Sequence, residues 1–142
     1  MKTLLDALER DMSAHVTAGP STDGELEALT RVLGSPLPEA LACFLRRLGG
    51  GLYYNGDEIF GPRRVVIHDI ELVPDILSVR SQLAKKQIPV PDGVIPFHRK
   101  GGTLHLVDVR QGRDPVFAMP AAETFPDIRT FLYATFGETR MP

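Results

Sequence analysis

The sequence predicts an α+β domain, a mostly antiparallel sheet with helices packed against it. Three observations carry this. Leu37, Leu41, Phe44, Leu45 and Leu48 recur at i, i+4, i+7, i+8 and i+11, which places all five on one face of a helix. Asn55-Gly56, a dipeptide suited to a two-residue hairpin turn, lies between the short runs 52–54 and 58–60. The apolar runs 94–98 and 103–108 flank Arg99-Lys100-Gly101-Gly102 and read as a second hairpin. Hairpins imply antiparallel pairing, and the helices must bury their stripes on that sheet.

In chain order, residues 3–14 predict a first helix, with Leu4, Leu5, Leu8 and Met12 on one side, Thr3 as cap and Asp6 three residues on. Residues 17–24 form a polar break. Thr22 and Glu25 fit a capping box for a second helix with the stripe Leu26, Leu29 and Leu33, closed by Gly34. Ser35 and Pro36 are placed to start the third helix, and Gly49-Gly50-Gly51 ends it, with Arg46 and Arg47 in the last turn where cations suit the helix dipole. Residues 63–68 predict an edge strand or an extended lead-in, and residues 74–86 a helix opened by Pro74. Pairing residue 98 with 103 would set Phe97 opposite Leu104 and Ile95 opposite Leu106, with His98, Thr103 and His105 on the other face. Residues 115–119 predict a strand. Thr124 would cap a closing helix carrying Phe125, Ile128, Phe131, Leu132 and Phe136, ended by Gly137.

With 142 residues the chain fits one domain over 1–142. A formal charge of −2 argues against nucleic acid as a direct partner, because phosphate binding needs a basic surface. Charge is unevenly spread: up to position 45 the cations are Lys2, Arg10 and Arg31, facing Asp6, Glu9, Asp11, Asp23, Glu25, Glu27 and Glu39. An acidic helical face is usually just solvated, but it is also what a basic partner would choose. The single cysteine, Cys43, excludes an internal disulfide and reads as a small apolar residue of the third helix. No apolar run approaches the ~20 residues a bilayer requires, and the acid-containing N-terminus is not a signal peptide. A reducing, cytoplasmic setting is expected.

Signatures for phosphate loops, dinucleotide binding, metalloproteases and serine hydrolases are missing from the sequence. The triple glycine follows a helix, the wrong side for presenting amides to phosphate. His98 and His105 would be diagonal neighbours on the sheet, short of the third ligand that zinc wants, and read better as surface histidines than as metal ligands. Asp57 and Glu58 are adjacent, so on a strand they face opposite ways and cannot pair across one substrate. Tyr53 and Tyr54 likewise split between the two faces, leaving one for a partner. The loop cations Arg63, Arg64, Arg99 and Lys100 read as solvated. Neither a catalytic set nor a cofactor is expected.

The segment from helix through LGSPLP to a helix ending in RLGGG resembles the N-terminal motif of the SUKH superfamily, on Glu27, Leu33, Gly34, Leu37, Pro38, Leu41, Phe44, Leu45, Gly49 and Gly50. Later pieces match in order: Ile59-Phe60-Gly61, VIPFHRKGG, TLHLVDV, DPVFAM and TFPDIRTFL. The resemblance spans about residues 22–136, preceded by the N-terminal helix. It implies a SUKH-like fold and a non-enzymatic protein-binding module. Many bacterial members look like immunity proteins that neutralise a cognate toxin domain; fungal relatives regulate cell-wall synthesis through protein partners. The implied partner is thus a protein, with a toxin domain foremost and a cellular protein as the alternative; a small metal-binding protein is a third reading. Contact candidates are Glu25, Glu27, Tyr53, Tyr54, Asp57 and Glu58.

Overall fold

The computed structural model describes residues 1–137. Helices are α1 (Lys2–Arg10), α2 (Asp23–Leu33), α3 (Glu39–Arg47), α4 (Ile76–Lys85) and α5 (Ile128–Leu132), the last continued by a π turn over Tyr133–Gly137. Strands are β1 (His15–Thr17), β2 (Gly51–Tyr53), β3 (Asp57–Ile59), β4 (Val65–Ile67), β5 (Ile70–Val73), β6 (Val94–Lys100), β7 (Thr103–Asp108), β8 (Val116–Met119) and β9 (Thr124–Phe125). Seven of them form one antiparallel sheet in the order β1-β2-β3-β6-β7-β8-β9, while β4 and β5 pair separately. The α+β class and the antiparallel platform are as the sequence predicts.

The third helix carries its stripe inward. Leu41, Phe44 and Leu45 are fully buried and Leu48 nearly so. Its start differs from expectation. Leu37 precedes Pro38, whose ring disfavours helical dihedrals for the residue before it. The helix therefore begins at Glu39, with Pro38 extended at the cap position. Ser35 caps nothing, and its buried hydroxyl has no hydrogen-bond partner among the described residues. For α2 the expected capping box is present: Glu25 N–H donates to Thr22 Oγ1 at 3.1 Å and Thr22 N–H to Glu25 Oε1 at 2.9 Å.

Other boundaries shift for local reasons. The first helix stops at Arg10, a 3-10 turn follows over Met12–Ala14, and Met12 lies exposed. The chain then enters β1, where the sequence suggested no strand and Thr17 fell in the expected polar break. Its pairing with β2 explains the glycine run better than a helix stop alone. A Cβ on Gly51 would lie 2.5 Å from the Val16 carbonyl, and one on Gly49, at φ +87°, would lie 2.0 Å from that of Gly19. Thr124 belongs to β9 and caps nothing; Asp127 caps α5, accepting from Thr130 N–H at 2.7 Å.

The β6–β7 hairpin turns tightly on Gly101-Gly102, with Lys100 opposite Thr103. Phe97 is the extra residue of a bulge, so His98 pairs with His105 and Ile95 with Val107. The expected register is corrected by two residues at His98, expected opposite Thr103, and by one at Ile95, expected opposite Leu106. Hydrophobic pattern could not fix it, because residues 94–98 and 104–107 are buried on both faces of the sheet. The helix α4 packs on β6, α5 on α3, and the β4–β5 hairpin beside β2. Phe44, Tyr53 and Phe136 meet at ring distances of 5.2–6.1 Å, and Phe131 meets Phe97 and Phe125 at 5.1 Å each.

Candidate interaction surface

Two of the six contact candidates lie inside the fold. Tyr53 is fully buried, and its hydroxyl donates to the Gly49 carbonyl at 2.6 Å; burial pushes its phenol well above the ordinary range. Asp57 is 1% exposed. Each belongs to the inward side of its strand, so neither reaches a partner, and both are corrected as contact residues. The structural cause for Asp57 is a row of hydrogen bonds running through the sheet: Asp57 Oδ1 to His98 Nε2 at 2.9 Å, His98 Nδ1 to His105 Nδ1 at 3.0 Å, and His105 Nε2 to Glu123 Oε1 at 2.9 Å. The two histidines read as surface residues are thus buried opposite each other, against the Phe131 ring at 4.9 and 4.6 Å. As expected from strand geometry, Glu58 faces the other way. It takes a two-pronged ion pair from Arg99 at 2.7 and 2.8 Å, and the same guanidinium lies 5.5 Å from the Phe60 ring centre. Among the described residues, no group of three or more His, Cys, Asp or Glu side chains could hold a metal ion.

The acidic N-terminal face is largely matched from within. Arg47 at the end of α3 reaches Asp6 and Glu9 of α1, and Arg46 reaches Asp23 and Glu39. Hydrogen bonding to Arg47 holds the Asp6 carboxyl below the usual range. Glu25 is held low first by its backbone bond to Thr22, and it also pairs with Arg63 at 2.7 Å. That arginine, read as solvated, further donates to the Gly19 and Pro20 carbonyls. Glu27 is exposed beside Arg31 at 3.8 Å. Tyr54 is half-buried at φ 51° in the β2–β3 turn, and its hydroxyl donates to Asp11 Oδ2 at 2.7 Å.

What remains conspicuous is apolar. Eight large hydrophobic side chains are exposed among the described residues, and four of them, Val66, Ile67, Ile70 and Leu72, sit on the β4–β5 hairpin. Ile70, at 69% exposed, is the most open of all. The hairpin is anchored from below by Val65 and Val73, both buried, so the exposed four are not awaiting a place in this core. The segments flanking it in the chain contribute Pro62 and Leu77, which with Ala28, Leu29 and Val32 of α2 line a hollow of about 250 Å³. Scattered exposed hydrophobics are ordinary; four gathered on one hairpin make it the candidate contact surface. Sequence reasoning missed it because Ile67-His68-Asp69-Ile70 shows no Asn-Gly or Gly signal. His68 and Asp69 nonetheless supply the turn, at φ 50° and 63°, and both residue types tolerate that region better than most.

A second concavity of about 540 Å³ opens between Leu37, Cys43, Val109 and Arg113. Of its carboxylates, Asp114 and Asp127 accept from the Ile128 and Thr130 amides at the start of α5 as helix caps, and Glu39 pairs with Arg46 at 3.6 Å. No helix among the described residues is long and apolar enough to cross a membrane.

Comparison with known proteins adds one result. Residues 20–139 match the family model described as the SMI1 / KNR4 family (SUKH-1). No curated protein matches the chain.

Proposed function

The chain belongs to the SMI1 / KNR4 family (SUKH-1), and from that premise we propose that it is a non-enzymatic protein-binding module, an immunity protein that neutralises a bacterial toxin domain. The supporting observation is the β4–β5 hairpin, which keeps Val66, Ile67, Ile70 and Leu72 in solvent although the core beneath it is already filled. Burying such side chains in a partner would return roughly 25 cal/mol per Å² of apolar area. Asp69 and Glu71 place acid on the hairpin itself, Glu71 beside Arg64 at 3.7 Å. Mixed charge around an apolar patch adds specificity to the capture of a partner face.

The test is direct. The purified chain is mixed with the product of a neighbouring toxin-like gene, and growth of cells expressing that toxin is followed with and without the chain. Stable complex and restored growth support immunity. Failure of both counts against it, and capture of a cellular protein by the same hairpin would assign a regulatory role instead.

A further inference from the structure

Two neutral imidazoles carry two N–H protons between them, yet the Asp57–His98–His105–Glu123 row contains three hydrogen bonds. Each of these bonds needs a proton. If both carboxylates are ionised, one imidazole must be an imidazolium; if both imidazoles are neutral, a carboxyl must hold the third proton. Without it, two acceptors face each other about 3 Å apart at one of the links. A buried group left without its partner is costly, so that link opens.

Geometry decides which one. Asp57, His98 and His105 are all at least nine-tenths buried and held by the strands β3, β6 and β7. Glu123 has a side chain 52% exposed and stands in the turn between β8 and β9. It alone can swing into water. The charged and titratable groups facing the imidazoles are Asp57 from β3, Lys100 from β6 (3.7 Å from Asp57 Oδ2) and Glu123. From α5 and β9 come the rings of Phe131 and Phe125. Glu58 and Arg99 are paired with each other, Asp127 caps α5, and Arg129 lies over Tyr133.

We propose that this row is a proton-gated latch, in which one proton beyond the two of neutral imidazoles fastens Glu123, and with it the sheet-edge strand β9, to the core. Losing that proton to solvent through the exposed end opens the His105–Glu123 link and frees the β8–β9 turn, whose closing backbone bond runs from Ala118 N–H to the Glu123 carbonyl at 3.1 Å. Burial disfavours an imidazolium at His98 more than the Asp57 bond favours it. The latch does not depend on the identity of the partner.

The experiment uses the whole chain and one variant. Glu123→Gln keeps the shape, but its amide N–H can donate to His105 Nε2, so two neutral imidazoles then satisfy all three links. Side-chain nitrogen NMR counts imidazole N–H groups, and amide exchange follows residues 118–125, from about pH 5.5 to about 9, where imidazoles titrate. Expected for the wild type is a third proton in the row when Glu123 is fastened, and, on its loss, exchange at 118–125 faster by at least about tenfold after correction for intrinsic rates. In Glu123→Gln that pH dependence vanishes. Equal pH dependence in both proteins, or a fastened Glu123 with only two protons in the row, would overturn the latch.

Discussion

The Tyr53 hydroxyl donates a 2.6 Å hydrogen bond to the carbonyl of Gly49, fixing strand β2 to the turn that ends α3. Both groups are buried, so neither has water as an alternative partner. The glycine run, the strand and the helix stripe are thereby held as one unit, the platform on which the rest of the sheet is built. Tyr53→Phe keeps the ring among His15, Phe44 and Phe136 but leaves the Gly49 carbonyl unpaired. It should cost about 1–3 kcal/mol in urea unfolding, with partner binding unchanged at temperatures where the variant is folded.

Gly49→Ala should be far more damaging than an ordinary surface change. The left-handed dihedral alone costs an alanine roughly 1–2 kcal/mol. The added Cβ would also sit 2.0 Å from the Gly19 carbonyl, a backbone atom that cannot swing aside. Thermal unfolding should show a large loss of stability or no folded protein. Gly112→Ala is the control, since it shares a positive φ of 74° but meets nothing within 4 Å.

Acid sensitivity should trace in part to Asp127. Its carboxyl is held below the usual value of 3.8, chiefly by the Thr130 amide. A lowered folded value means the stabilisation is complete above the unfolded value and fades as pH falls through the folded one. Asp127→Asn retains the cap without the titration, so its stability curve should flatten at the acid end. Asp127→Ala should lose about 1 kcal/mol near neutral pH.

How much of this was legible depended on how local the determinant was. The Thr22–Glu25 box, the Gly34 stop and the inward Phe44–Leu45 pair are short-range features, and each stands where periodicity put it. The strand β1 was not legible, because three residues, His15, Val16 and Thr17, pair with β2 far along the chain. Nor was the Phe97 bulge, since a strand covered on both faces shows no alternation from which to read register. The second gap hid the buried hydrogen-bond row. Without the bulge His98 and His105 pass for diagonal surface neighbours, and Asp57 for a contact residue. The exposed hairpin escaped for a third reason: its apolar residues are the same types that fill cores, and only the sheet order shows that β4 and β5 stand apart.

Substitutions on the hairpin should separate binding from folding. Ile70 is largely in water already, so Ile70→Asp should change stability by less than about 0.5 kcal/mol. Leu72→Ala, measured by the same unfolding curves, should behave alike.

The central claim is that the β4–β5 hairpin grips another polypeptide, and calorimetric titration of the chain with the proposed partner, the toxin-like product of a neighbouring gene, tests it most directly. Wild-type protein should bind, and Ile70→Asp should weaken binding by about thirtyfold or more, the size of a hot-spot loss of roughly 2 kcal/mol, while unfolding as the wild type does. Equal affinity for the two proteins would contradict the account.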